Sequence, residues 1–134
     1  MDLQVDIDLS QWNRVKAKIG KTDLSAPMRE VANYMDAQTR QRFIKEVDPD
    51  GKSWAPLAPS TISQKRSGVI LRETGLLVNS FRSSSNHDTA TLSNPVFYGV
   101  FLQFGTQKIL ARPFLGISGQ DVDNIERIII DYLL

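Results

Sequence analysis

The long amphipathic segment at residues 24–47 constrains the fold more than any other feature of the sequence. Ser25 is suited to cap a helix, and Pro27 is tolerated in a first helical turn. Apolar residues then recur at helical spacing along one stripe: Met28, Val31, Ala32, Met35 and Phe43. The segment therefore predicts a helix over 24–47, whose apolar stripe must be buried against another layer of the protein.

Strands supply the second layer. Residues 2–9 alternate strictly between apolar and polar types, which predicts a strand with one buried and one solvated face. Residues 80–85 and 89–94 have strand character and flank Asn86-His87-Asp88, whose types suit a turn. A small antiparallel sheet is the arrangement that these segments favour.

A short helix is predicted at 10–20 and a helical turn at 73–78. The segment after Pro95 up to Phe104 is apolar nearly all round, so helix and strand are both compatible with it, and Pro95 as a helix-start residue favours the helix. A C-terminal helix begins after Ser118 or Gly119, where acidic residues favour a helix N-terminus. Its apolar positions are Val122, Ile125, Ile129, Tyr132 and Leu133. We therefore predict a single α+β domain over residues 1–134, with a small antiparallel sheet packed against the long helix and the C-terminal helix.

Residues 48–72 interrupt this pattern with Pro, Gly and Ser, and they predict a long, flexible, projecting loop. Trp54 and Leu57 lie within it and are costly to leave in water. Either these two side chains fold back onto the core, or they contact a partner.

Composition excludes several classes of function. The chain has 16 Lys and Arg against 15 Asp and Glu, so no overall field attracts it to a nucleic acid. Lys65, Arg66 and Arg72 form a modest basic cluster, for which a solvated surface is favoured over contact with DNA or an acidic protein.

No apolar run approaches the ~20 residues that span a bilayer, and no signal peptide is visible. We expect a soluble protein that does not bind a membrane.

Catalytic motifs are incomplete. Gly51-Lys52-Ser53 resembles the end of a phosphate-binding loop, but Glu46 stands where that motif requires glycine. Asp48 and Asp50 lack the further ligands of a calcium loop, and a turn stabilised by Asp side chains explains them. His87 is better explained as a turn residue than as part of a hydrolytic triad. With no cysteine, thiolate chemistry and disulfides are excluded, and we predict no catalytic, cofactor or metal site.

Several short motifs occur in a fixed order over residues 40–134. They are Arg42-Phe43, Pro49 to Leu57, Leu71 to Leu77, Tyr98, Gln103-Phe104-Gly105-Thr106 and Ala111 to Ser118. In this order they resemble the phage virion morphogenesis family, which includes the Mu-like G proteins and the P2-like tail completion proteins.

The resemblance implies a virion structural protein, assembled in the host cytoplasm, that completes the tail and joins it to the filled head without catalysis. It implies protein contacts with other tail or neck proteins and an oligomer at the neck or tail end, in the form of a ring in related proteins. A DNA-contacting connector and, with less support, a small lytic hydrolase are the alternatives.

The residues that we predict at such contacts combine aromatic, arginine and turn types, which protein interfaces enrich. They are Trp54, Leu57, Phe104, Gly105, Arg112, Pro113, Phe114 and Leu115. Gly105 is expected to adopt a left-handed conformation that ends the preceding helix. The alternative for Phe114 and Leu115 is a place in the core, with Arg112 satisfying the end of the preceding helix.

Overall fold

A computed structural model describes residues 3–12, 23–55, 75–96, 99–107 and 110–133. Three strands and four α-helices occur in these residues. In chain order they are β1 (Leu3–Asp8), α1 (Ser25–Lys45), α2 (Gly75–Val78), β2 (Arg82–Ser85), β3 (Thr89–Asn94), α3 (Gly99–Phe104) and α4 (Gly119–Leu133). A single 3₁₀ turn, Leu9–Gln11, follows β1. The α+β class predicted from the sequence is confirmed.

The three strands form one antiparallel sheet in the order β1-β3-β2. Leu3 is paired with Asn94 and Asp8 with Thr89, while Arg82 lies opposite Ser93. Along β3 the buried residues are Ala90, Leu92 and Asn94, and α1 packs on this face of the sheet. The predicted strand at 2–9 and the predicted hairpin are confirmed, and His87 is exposed at the hairpin tip.

Helix α1 buries all five apolar residues of the predicted stripe. The prediction of Ser25 as its cap is wrong, because Ser25 is the first helical residue and Leu24 occupies the cap position without a side-chain bond. Asp23 takes the role instead, since its Oδ1 accepts hydrogen bonds from the backbone N–H of Ser25 at 3.0 Å and from its Oγ at 2.7 Å. A carboxylate is a stronger acceptor than a hydroxyl, which explains the change.

Four aromatic rings join distant parts of the chain in the core. The Phe43 ring on α1 lies 5.5 Å from Trp54, 5.9 Å from Phe81 and 5.1 Å from Phe114, measured between ring centroids. These separations fall in the range of favourable aromatic pairs. The core is therefore centred where α1 meets the start of the predicted loop, the entry to β2 and the segment before α4.

The first residues of the predicted loop, 48–55, do not project from the molecule. Asp48 Oδ1 accepts the backbone N–H groups of Asp50 and Lys52, both at 2.9 Å, and Val47 forms an isolated bridge with Ser53. This compact turn confirms that Asp side chains stabilise the chain here, and it returns Trp54 to the core. Residues 56–72, which include Leu57, lie outside the described residues. So do residues 13–20 of the predicted short helix.

Helix α3 is described over Gly99–Phe104, and the prediction of a helix directly after Pro95 is wrong at Val96, which is not helical. Its end follows the prediction. Gly105 has φ of +76°, in the left-handed region that glycine tolerates, and its N–H donates to the carbonyl of Phe101 at 2.8 Å. In α4, Ile125 and Ile129 are buried as predicted, whereas Tyr132 is exposed.

Replacing the central ring with Phe43→Ala should lower the free energy of unfolding by about 3–5 kcal/mol, because it removes buried area and leaves a cavity among three rings. Chemical denaturation in urea measures this loss. The control Phe104→Ala removes an exposed ring and should change stability by less than about 0.5 kcal/mol. Equal losses in the two variants would contradict the central place of Phe43.

Candidate functional site

Residues 111–118, called here the anchored segment, carry most of the predicted contact residues and belong to no helix or strand. Their backbone polar groups therefore lack the partners that regular structure would provide. Side chains from α1, from the turn at 48–55 and from α3 supply those partners instead. The site is built from these three sets of contacts.

Arg42, in the last turn of α1, makes the first set. Its Nη1 donates to the carbonyl oxygens of Phe114, at 3.3 Å, and Gly116, at 3.0 Å. Its Nη2 donates to Oδ2 of Asp121 at 2.6 Å, and both charged side chains are buried. The planar guanidinium thus joins the end of α1, the anchored segment and the start of α4 in one fork of hydrogen bonds.

Gln103 of α3 makes the second set. Its Oε1 accepts the backbone N–H groups of Phe114 and Leu115, both at 3.0 Å, and its Nε2 donates to the carbonyl of Leu115 at 2.8 Å. One side-chain amide therefore satisfies three backbone groups. This contact fixes the position of α3 relative to the anchored segment.

The turn at 48–55 makes the third set, and the contacts run in both directions. Trp54 Nε1 donates to the carbonyl of Pro113 at 2.6 Å, while Arg112 Nε donates to the carbonyl of Ala55 at 3.0 Å. The backbone N–H of Arg112 also donates to the carbonyl of Leu102 in α3 at 2.7 Å. These bonds hold the turn, the anchored segment and α3 together.

Several predicted contact residues consequently lie inside the molecule. Trp54, Arg112, Phe114 and Leu115 are all buried. Of the two alternatives that the sequence left open for Phe114 and Leu115, the structure places both in the core. Arg112 meets the preceding helix through its backbone N–H, and its guanidinium reaches Ala55. Pro113 and Gly105 are half-buried.

Of the predicted contact residues that the structure describes, Phe104 is the one that lies on the surface, with 70% of its area exposed. Phe101, one helical turn earlier on the same face of α3, is 46% exposed, and Leu110 is 66% exposed. Phe101 and Phe104 are called here the aromatic patch. The sequence missed Phe101 and Leu110, although an apolar helix that buries one face must expose residues on the other.

The opposite face of α3 explains why the patch points outward. Gly99 is buried so closely that a Cβ there would lie 3.2 Å from a methyl of Leu77. Val100 and Leu102 are half-buried against the core. With this face and Gln103 occupied by the protein itself, Phe101 and Phe104 are left in solvent.

Asp121 organises a second polar cluster at the start of α4. Its Oδ2 accepts the N–H of Ser118 and its own N–H donates to Ser118 Oγ, both at 3.0 Å, which is the reciprocal pattern of a capping box. Its Oδ1 accepts from the Tyr34 hydroxyl at 2.8 Å, and Asn124 Nδ2 donates to that hydroxyl at 2.9 Å. Partial burial, above all, raises the pKa of Tyr34.

A polar groove of about 530 Å³ lies between the end of α1, the turn at 48–51 and the start of α4. Lys45 and Arg42 line it together with Asp48, Asp50 and Asp121, so its charges are mixed. Among the described residues, no cluster of three or more acidic or histidine side chains could hold a metal ion. Lys65, Arg66 and Arg72, the predicted contacts for DNA or an acidic surface, lie outside the described residues.

Comparison with known protein families identifies a match. The model of the phage virion morphogenesis family matches residues 8–134, nearly the whole chain. No curated protein and no solved structure is significantly similar to the chain. Within the described part of the chain, no helix has both the length and the apolar character needed to cross a membrane.

Asp121→Asn should lower the free energy of unfolding by about 3–5 kcal/mol, because it leaves the buried Arg42 guanidinium without its counter-charge. Urea denaturation measures the change. Asp123→Asn is the matched control, since Asp123 is exposed in the same helical turn and its substitution should have little effect. Comparable stabilities for the two variants would show that the ion pair does not hold the anchored segment.

Tyr34 predicts a pH dependence of stability. Its pKa is raised from the ordinary 10.0, so the folded state favours the neutral phenol. The stability that this group contributes is fully present below the ordinary tyrosine pKa and is lost as the pH rises through the raised value. The difference in unfolding free energy between wild type and Tyr34→Phe should therefore shrink in the alkaline range. A constant difference across that range would contradict the assignment.

Proposed function

The chain belongs to the phage virion morphogenesis family and thus has a structural role in phage particles; within that role, we propose that it completes the tail and joins it to the filled head. It would act through protein contacts in an oligomeric assembly at the neck or tail end. The observation that carries this proposal is the aromatic patch on α3. The side chain of Gln103 fixes this helix to the anchored segment by hydrogen bonds.

Aromatic side chains are favoured at the centres of protein interfaces, because burying them removes a large apolar area from water. Phe101 and Phe104 lie one turn apart and can enter a partner surface together. Leu110 precedes the anchored segment and adds a third exposed apolar side chain. Together these residues support contact with an apolar surface of a neighbouring virion protein.

The contacts that fix α3 in place lower the conformational entropy that is lost when a partner binds the aromatic patch. Gln103 lies between the two aromatic residues in sequence and is bonded to the backbone of Phe114 and Leu115. Gly105 ends the helix directly after Phe104 with a backbone bond to Phe101. Because α3 is already fixed, a partner need not order it, and less conformational entropy is lost on association.

The charge around the patch favours a protein partner over DNA. Residues 99–107 contain no charged side chain. A DNA-binding surface gains most of its affinity by neutralising phosphates with Lys and Arg. The apolar, uncharged character of α3 therefore supports a protein contact at the head-tail junction.

In a phage that encodes this chain, the double variant Phe101→Ser/Phe104→Ser should yield mostly separate heads and tails and a plaque titre lowered at least tenfold. The variant removes the apolar contact with the partner. It leaves the fold intact, because both rings are exposed and contribute little to the core. Electron microscopy of lysates and plaque counts measure the outcome. The purified variant should unfold at the wild-type temperature.

Tyr132→Ser is the matched control, since Tyr132 is 51% exposed on α4, outside the patch. It should assemble normally. A wild-type titre for the patch variant would remove the patch from the proposal. Complete, infectious tailed particles from a phage that lacks the gene would overturn tail completion itself.

A further inference from the structure

Among the described residues, neither edge of the sheet pairs with a further strand. The strand order β1-β3-β2 leaves β1 and β2 each paired on one side within this part of the chain, and every residue of β2 is exposed. In β1, Gln4 and Asp6 are exposed as well. An open edge presents unpaired backbone N–H and C=O groups, which is a template for another strand.

The register identifies the backbone groups at each open edge. Leu9 N–H donates to Asp88 at 2.9 Å, so alternation along β1 directs the backbone of Gln4, Asp6 and Asp8 away from β3. Asn86 N–H donates to Thr89 at 2.9 Å, and the same alternation directs Ser83 and Ser85 outward from β2.

The two edges are different surfaces with the same strand direction. β1 and β2 both run antiparallel to β3, and so they run parallel to each other. A rotation about an axis along the strands therefore brings β2 of one copy beside β1 of the next without reversing either strand. Such a contact is heterologous, and its repetition produces a ring when the rotation closes.

Charge favours this pairing over the pairing of like edges. On the outer face of the sheet, the β1 edge carries Asp6 and Asp8. On the same face the β2 edge carries Arg82 and Ser84, while Ser83 and Ser85 lie on the opposite face, and residues 79–87 contain no Asp or Glu. Two β1 edges would bring carboxylates together, whereas β1 beside β2 brings the carboxylates to a cation and a hydroxyl donor.

We propose that copies of this chain assemble head to tail, with β2 of one copy pairing in parallel with β1 of the next to form a continuous sheet. The inference rests on the proposed function in that it describes the oligomer through which the protein would act. The β2 edge is only four residues long, so each junction has few hydrogen bonds. The contact therefore forms at high local concentration, as on a tail end.

Disulfide trapping tests the pairing, because the chain has no cysteine of its own. Gln4 and Arg82 both lie opposite Ser93, on either side of β3. Within one copy their Cα atoms are thus about 10 Å apart, twice the interstrand spacing. This exceeds the roughly 7 Å limit for a disulfide. A bond between cysteines at these positions can form only between copies.

On mild oxidation, concentrated Gln4→Cys/Arg82→Cys protein should give a ladder of covalent dimers, trimers and larger species that a reductant dissolves. Asp6→Cys/Arg82→Cys tests a register shifted by two residues. The control Gln4→Cys/Tyr132→Cys places its second thiol on α4, and it should remain largely monomeric. A similar ladder from the control, or no ladder from either edge pair, would overturn the proposal.

Two further variants test whether like edges pair and whether the contact uses backbone hydrogen bonds. Arg82→Cys alone should give no covalent dimer, and a dimer would mean that like edges pair. Adding Ser83→Pro to the Gln4→Cys/Arg82→Cys protein removes an outward N–H but no bond within the sheet, so the ladder should weaken at least fivefold. A ladder of full strength would contradict strand pairing.

Failure of this inference is distinguishable from failure of the proposed function. Loss of the ladder leaves the patch variants and the gene deletion to decide on head-tail joining. Conversely, a ladder from a protein whose deletion leaves complete particles would support the edge contact and reject tail completion.

Discussion

The buried ion pair between Arg42 and Asp121 is the interaction on which the arrangement of this chain depends. It joins the last turn of α1 to the first turn of α4, and the same guanidinium holds two carbonyls of the anchored segment. Burying two charges costs solvation free energy that their attraction only partly returns, so such pairs add little net stability compared with an apolar core. The pair instead fixes the positions of α1, α4 and the anchored segment relative to one another, because a planar guanidinium forms its hydrogen bonds in few geometries.

The anchored segment shows why position matters here. It has no strand or helix partner, yet Phe114 lies at the centre of the core, and its backbone groups must be satisfied. Arg42, Gln103 and Trp54 satisfy them from three directions. These residues come from separate motifs of those on which the resemblance to the family was based, and in the folded chain they converge on a single segment. The structure accounts for these three motif residues by folding contacts, and the exposed aromatic patch lies beside them.

The range of an interaction along the chain determines whether the sequence predicts it. The strands, the helix with Met28 and Phe43 on its buried stripe, and the turn at Gly105 depend on local periodicity and turn chemistry, and they were predicted. The contact between Arg42 and Asp121 joins residues 79 positions apart, and no local pattern indicates it. Trp54 was ambiguous for the same reason, since its place depends on Pro113. Phe101 was missed because an all-apolar segment has no periodicity to mark its outer face.

The two surfaces proposed for assembly differ in the chemistry that they offer. The sheet edges present backbone groups with an acidic side and a basic side, so each is complementary to the other edge of an identical copy. The aromatic patch is uncharged and apolar. Among the described residues there is no second pair of exposed aromatic side chains to which the patch of another copy could bind. The patch is carried by α3 and not by a strand, so a ring formed through the sheet edges would not use its aromatic side chains for strand pairing. Repeated around that ring, a small apolar contact gains avidity for an adjoining protein without any single contact being strong.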